Sequence, residues 1–163
     1  MSYQNDDIIK AYIAYKNGDS VANQFESVLD GEDLEDQNPA AIKLILECLK
    51  NLTAGSGTLP EYAKDYFENR FNGDPENLIV RAPRMTTRLH IDVIAGLVNS
   101  DVGGMVAKQF ETLVDGDGVI DDLNPNAAYM IKDTLQQVSN LDGDLANFAQ
   151  RVLEDHFDVP YKM

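Results

Sequence analysis

Val21-Ala22-Asn23-Gln24-Phe25-Glu26-Ser27-Val28-Leu29-Asp30-Gly31 recurs 85 positions later as Val106-Ala107-Lys108-Gln109-Phe110-Glu111-Thr112-Leu113-Val114-Asp115-Gly116. Seven of the eleven positions are identical, and three more exchange side chains of similar shape. Self-similarity at a fixed spacing marks a tandem duplication, so one structural unit has to be explained and then applied twice. Within that unit Val21, Phe25, Val28 and Leu29 follow i, i+4, i+7, i+8 and share one helix face. Asp19 or Ser20 suits the start of this helix, and Asp30-Gly31 suits its stop. Gln24 and Glu26, retained as Gln109 and Glu111, lie at the edges of the apolar stripe, about 100° to either side of Phe25. Hydrogen bonds at a seam between helices would explain their retention.

Working upstream, Ile8, Ile9, Tyr12 and Ile13 form a second stripe, behind Asp6-Asp7 and ahead of Gly18. Acids in a first turn complement the helix dipole, and glycine readily ends a helix, so the pattern predicts a helix over about 5–16. Downstream, an acidic loop (Glu32, Asp33, Glu35, Asp36) is closed by Asn38-Pro39. Asn is a favoured cap, and Pro fits the first helical position. Ile42, Ile45, Leu46, Leu49 and Leu52 then predict a third helix. After the turn at 53–58, Pro60 opens a fourth, with Tyr62, Ala63, Tyr66, Phe67 and Phe71 inward.

Residues 73–86 read as a connector, after which the cycle returns. Ile91, Ile94, Leu97 and Val98 face inward on the fifth helix, which Thr86 or Thr87 can cap. The second acidic loop holds Asp115, Asp117, Asp121 and Asp122, and Asn124-Pro125 opens the next helix 86 positions after its counterpart. One residue was thus inserted in this loop. No strand pattern is convincing. The expected fold is all-α: about eight helices, in a four-helix repeat over 1–72 and a second over 87–163. A half of about 80 residues buries only a thin core alone, so the halves should pack on each other with pseudo-twofold symmetry.

The formal net charge is −15, from 28 acids against 13 bases. That argues against direct binding to nucleic acid or anionic membrane, which need basic patches. With eight Lys to five Arg, lysine is not depleted as in strong salt adaptation. The single cysteine, Cys48, excludes an intrachain disulfide and suits a reducing compartment. No signal peptide or apolar membrane span is legible, so the expected location is cytoplasmic.

Enzyme chemistry is hard to build here. His90 and His156 are the only histidines; His156 corresponds to Arg70, so the duplication does not demand imidazole there. Both read as surface or boundary residues. Cys48 corresponds to Thr134 and reads as a small core residue with no histidine near in sequence to activate it. No P-loop, dinucleotide fingerprint or serine elbow is present. A calcium register on the second loop puts Leu113 and Asn124 where end ligands belong, so it fails as an EF-hand. No cofactor, metal or catalytic residue is therefore assigned.

What remains is a non-enzymatic acidic module that binds another protein. Carboxylates held on a small helical scaffold can stand in for a nucleic-acid backbone, which presents one charge per roughly 1.7 Å of duplex. Small acidic inhibitors encoded by phages and mobile elements work this way. The expected partner-binding residues are Glu32, Asp33, Glu35 and Asp36, with Asp115, Asp117, Asp121 and Asp122, against a basic nucleic-acid-binding protein. The alternative is a structural or assembly component that self-associates, for example as a homodimer, through its duplicated helical units. Arg81, Arg84 and Arg88, with Arg70 shortly before, are expected to pin the connector to an acidic surface.

Overall fold

A computed structural model of the chain describes residues 4–54, 57–74, 87–114 and 124–157. Among these the chain is all-helical, in eight helices and without a strand. They are α1 (Asn5–Asn17), α2 (Asp19–Leu29), α3 (Pro39–Leu52), α4 (Thr58–Asp65), α5 (Thr87–Asp101), α6 (Gly104–Val114), α7 (Pro125–Ser139) and α8 (Gly143–Phe157). A short 3₁₀ turn over Leu34–Asp36 separates α2 from α3, and α4 continues into a π-helical turn over Tyr66–Arg70.

The Asn-Pro signals start their helices as expected. Asn38 Oδ1 accepts from the N–H groups of Ala40 at 2.8 Å and Ala41 at 3.4 Å. Asn124 does the same for Asn126 at 2.8 Å. In both helices Pro takes the first position, where the N–H would lack an intrahelical partner. The fourth helix starts earlier than its proline suggests, at Thr58, and its cap comes from far along the chain. Asp142 accepts from the Thr58 N–H at 2.9 Å and from Thr58 Oγ at 2.6 Å.

The centre of the molecule is the crossing of α1 and α5, the most extensive helix contact. Every residue from His90 to Val98 is buried, as on a helix surrounded by protein rather than laid on a surface. Close approach is possible because the meeting residues are small: a Cβ added to Gly96 would lie 3.0 Å from the Ala11 carbonyl oxygen. Around this pair α1 packs on α2, α3 and α4, and α5 on α6 and α7. In turn α2 packs on α3, α3 on α4, α6 on α7, and α7 on α8. Buried side chains from all eight helices join in one core.

Two positions differ from expectation. Tyr62 is 44% exposed rather than inward, and touches Tyr66 edge-on at 6.0 Å. Ala63, Phe67 and Phe71 carry the packing instead, with Phe71 stacked on Phe25 at 5.7 Å. His90, expected at the surface or boundary, is 8% exposed, and its ring lies 4.8 Å from that of Phe148. No helix among the described residues is long and apolar enough to cross a membrane.

Candidate functional site

The first acidic loop is held from both ends. At the end of α2, the Asp30 N–H donates to Glu26 O, Gly31 to Val28 O and Glu32 to Ser27 O, at 2.9, 3.1 and 3.0 Å. Gly31 has φ +110°, a conformation that side chains resist. The next turn is closed by Asp36 N–H to Asp33 O and Gln37 N–H to Leu34 O. Half-buried Leu34 packs against the core. Then the Asn38 N–H donates to Gln24 Oε1 at 2.8 Å, tying the loop exit back to α2. The seam bond expected of Gln24 is thus a loop anchor.

Asp30, Glu32, Asp33, Glu35 and Asp36 are all exposed on this short loop. None makes an ion pair among the described residues. Burial of Leu34 with backbone closure on either side leaves the carboxylates little choice but to point to solvent. Beside them lies a cavity of about 460 Å³ whose lining includes Glu32, Asp33, Glu35 and Arg70. The other four expected residues, Asp115, Asp117, Asp121 and Asp122, lie outside the described residues, as do Arg81 and Arg84 and the calcium register on the second loop.

A second polar cluster, which the sequence did not single out as a site, crosses between helices far apart in the chain. Arg88 donates to Asp92 Oδ1 from Nε and Nη2, at 3.1 and 2.8 Å, and from Nη2 to Glu111. Tyr15 donates its hydroxyl to the other Glu111 oxygen, and Lys16 reaches Asp92 at 3.3 Å. Two carboxylates meet two cations. Burial and the Glu111 bond both push the Tyr15 phenol above its ordinary pKa, so it remains a donor. The Asp92 bonds hold the Arg88 guanidinium charged. The clue in the sequence was the retention of Glu111; its long-range partners left no local pattern.

Two of the other candidates for chemistry, Cys48 and His90, are buried. Burial pushes the Cys48 thiol up to about 11, and its sulfur accepts from Asn17 Nδ2 at 3.1 Å. Thiolate chemistry needs the opposite shift. Burial lowers His90 to about 4, and its Nε2 finds no hydrogen-bond partner among the described residues. Among the described residues no three His, Cys, Asp or Glu side chains are grouped to hold a metal ion.

Comparison of the chain with protein-family models, with curated proteins and with solved structures finds no match.

Proposed function

We propose that the chain is a non-enzymatic acidic binding module of the cytoplasm that occupies the basic, nucleic-acid-binding surface of a protein partner. It acts as an inhibitor that mimics the nucleic-acid backbone, as acidic proteins of phages and mobile elements do. The observation that carries this reading is the loop over 30–36. Five exposed carboxylates stand on a backbone pinned by hydrogen bonds at both ends. A pre-ordered charged surface loses little conformational entropy on binding, whereas a floppy acidic loop would lose much more.

The finer architecture belongs to the same proposal: two homologous four-helix units packed about a pseudo-twofold axis. Helix pairs in contact recur in order, α1–α2, α2–α3, α3–α4 and α1–α3 against α5–α6, α6–α7, α7–α8 and α5–α7. Ala11 meets Gly96, its counterpart 85 positions on, as positions on a twofold axis do. Such a pair of units would offer the second acidic loop, with Asp115, Asp117, Asp121 and Asp122, to a related part of the same partner.

The test is to neutralise the first loop as Glu32→Gln, Asp33→Asn, Glu35→Gln and Asp36→Asn together. Partner affinity should fall at least tenfold with the melting temperature held, and affinity of the native chain should fall steeply with salt. The assembly reading draws on a different observation, the exposure of Met105 at 78% and Tyr129 at 72%. It predicts self-association that resists salt and survives the loop neutralisation.

A further inference from the structure

Among the described residues one buried side-chain polar atom is left unsatisfied: His90 Nε2, closed off from water and without a hydrogen-bond partner. Such an atom normally costs stability, so its presence calls for a physical account. The ring packs on Phe148 of α8, with centroids 4.8 Å apart. The charged groups that act on it are Asp144 and Arg151, which flank Phe148 by about one turn on that same helix. On α5 itself, Arg88 and Asp92 are engaged with each other, and Val93 and Ile94, one turn on, are apolar and buried. The imidazole is thus enclosed between α5 and a single stripe of α8.

The attachment of α8 allows this contact to open alone. Of its helix contacts only that with α7 is extensive. The two helices meet at a short turn over 140–142, which leads into Gly143 at φ +81°. That turn carries Asp142, whose carboxylate caps α4 through the Thr58 N–H and hydroxyl. Movement at the start of α8 would therefore also take away the cap of α4. The first half is built differently. The counterparts of His90 and Phe148 there are Asn5 and Tyr62, and Tyr62 is exposed. Tyr66 instead donates its hydroxyl to Asp6 of α1.

We propose that His90 is a proton-operated latch: on protonation it parts the start of α8 from α5 and withdraws Asp142 from Thr58. A neutral ring can leave one nitrogen bare, but an imidazolium has two N–H donors to satisfy, and a buried unpaired charge costs far more. In the closed contact Nε2 reaches no acceptor, so Asp144 or water can serve it only once the helices part. Burial accordingly lowers the folded pKa to about 4, while an opened, solvated ring titrates near about 6.5. The latch is closed above about pH 6.5. From there down to about 4 the opened population rises about tenfold per pH unit, because opening takes up one proton. Charge repulsion acts in the opposite sense, since acid discharges the carboxylates of a chain at −15 and relieves it. The latch does not rest on the function proposed above.

The experiment is amide hydrogen exchange on the full chain, read by NMR as protection factors from about pH 6.5 down to 4.5, with and without low urea. The amides from Phe148 to Val152, and the Thr58 amide, should lose protection about tenfold per pH unit. Their urea dependence should be slight, because local opening exposes little surface. Amides at the centres of α1 and α3 should stay better protected throughout. In His90→Leu the pH slope in α8 and at Thr58 should disappear; His90→Gln, which stays polar and neutral, serves if the leucine variant does not fold. Protection in α8 that does not change with pH overturns the latch. Loss only in step with α1 and α3, and with their urea dependence, assigns the titration to global unfolding and overturns local opening. A slope unchanged by both substitutions overturns His90 as the group. Thr58 protection that holds while that of α8 falls overturns the withdrawal of Asp142.

Discussion

Gly57 and Gly143 stand 86 positions apart in the chain and touch in the fold: a Cβ added to Gly57 would lie 2.9 Å from the Gly143 Cα. That spacing is also the one between Asn38 and Asn124, the caps of α3 and α7. Corresponding positions therefore meet at a second place besides Ala11 and Gly96. An added Cβ would collide at Gly57 and be tight at Gly96, and both contacts support the proposed pseudo-twofold.

Stability should register this crowding. Gly57 has φ +109°, and Gly18 has φ +98° with nothing within 4 Å of an added Cβ. Gly18→Ala then costs only the backbone strain of a glycine-only region, about 1–3 kcal/mol. Gly57→Ala carries that strain and a collision with the Gly143 backbone, so it should unfold at clearly lower denaturant. Urea midpoints at unchanged slope check the order; equal midpoints would remove the crowding argument.

The polar cluster and the surface pair should differ in the same assay. Asp92 is buried and serves both Arg88 and Lys16, but these cations are about half-exposed and Arg88 keeps Glu111, so Asp92→Ala should cost about 1–2 kcal/mol through the lost hydrogen bonds. The Lys10–Glu26 pair is half-exposed, and Glu26→Gln should cost under about 1 kcal/mol.

His90 sets an acid limit. Its folded pKa is lowered to about 4 by burial, with the Asp144 carboxylate opposing and Arg151 adding to the shift. The unfolded chain binds the proton first, near the ordinary value of about 6.5. The neutral ring's contribution is thus complete above pH 6.5 and lost as pH falls towards 4, at most about 3 kcal/mol. His90→Leu should flatten that part of the stability profile relative to the native chain; parallel profiles would contradict the buried neutral imidazole.

Cys48 should resist thiol reagents. With its thiol buried and pushed up to about 11, labelling by a disulfide reagent at pH 8 should run at least a hundredfold slower in the folded chain than in guanidinium. Labelling at similar rates in both states would contradict that burial.

Much of this was legible in the sequence where local chemistry decides. The Asn-Pro pairs, the Asp30-Gly31 stop and the stripe Ile45, Leu49, Leu52 state their roles within one or two turns. Tyr62 and Phe148 are corresponding positions with opposite fates, one exposed and one at 9% exposure against His90. No pattern distinguishes them, because the difference lies in which helix covers each. The cap of α4 comes from Asp142, 84 positions beyond Thr58, and so leaves no Ser, Asp or Asn signal of its own just before the helix. Glu111 is retained between the two copies, yet Tyr15 and Arg88 reach it only after folding. For the site, the charge of the loop at 32–36 was legible; its bracing by Gln24 was not.

The most direct test of the proposed function is a pull-down from lysate of the source or its host, with native chain and the 32–36 neutralised variant in parallel, eluted in a salt gradient. The account predicts a nucleic-acid-binding protein that the native chain retains at low salt and releases at moderate salt. Added nucleic acid should displace it, and the variant should not retain it. Recovery of only the chain itself, or of a partner that both forms hold at high salt, would contradict mimicry and turn attention to Met105 and Tyr129 as an assembly surface.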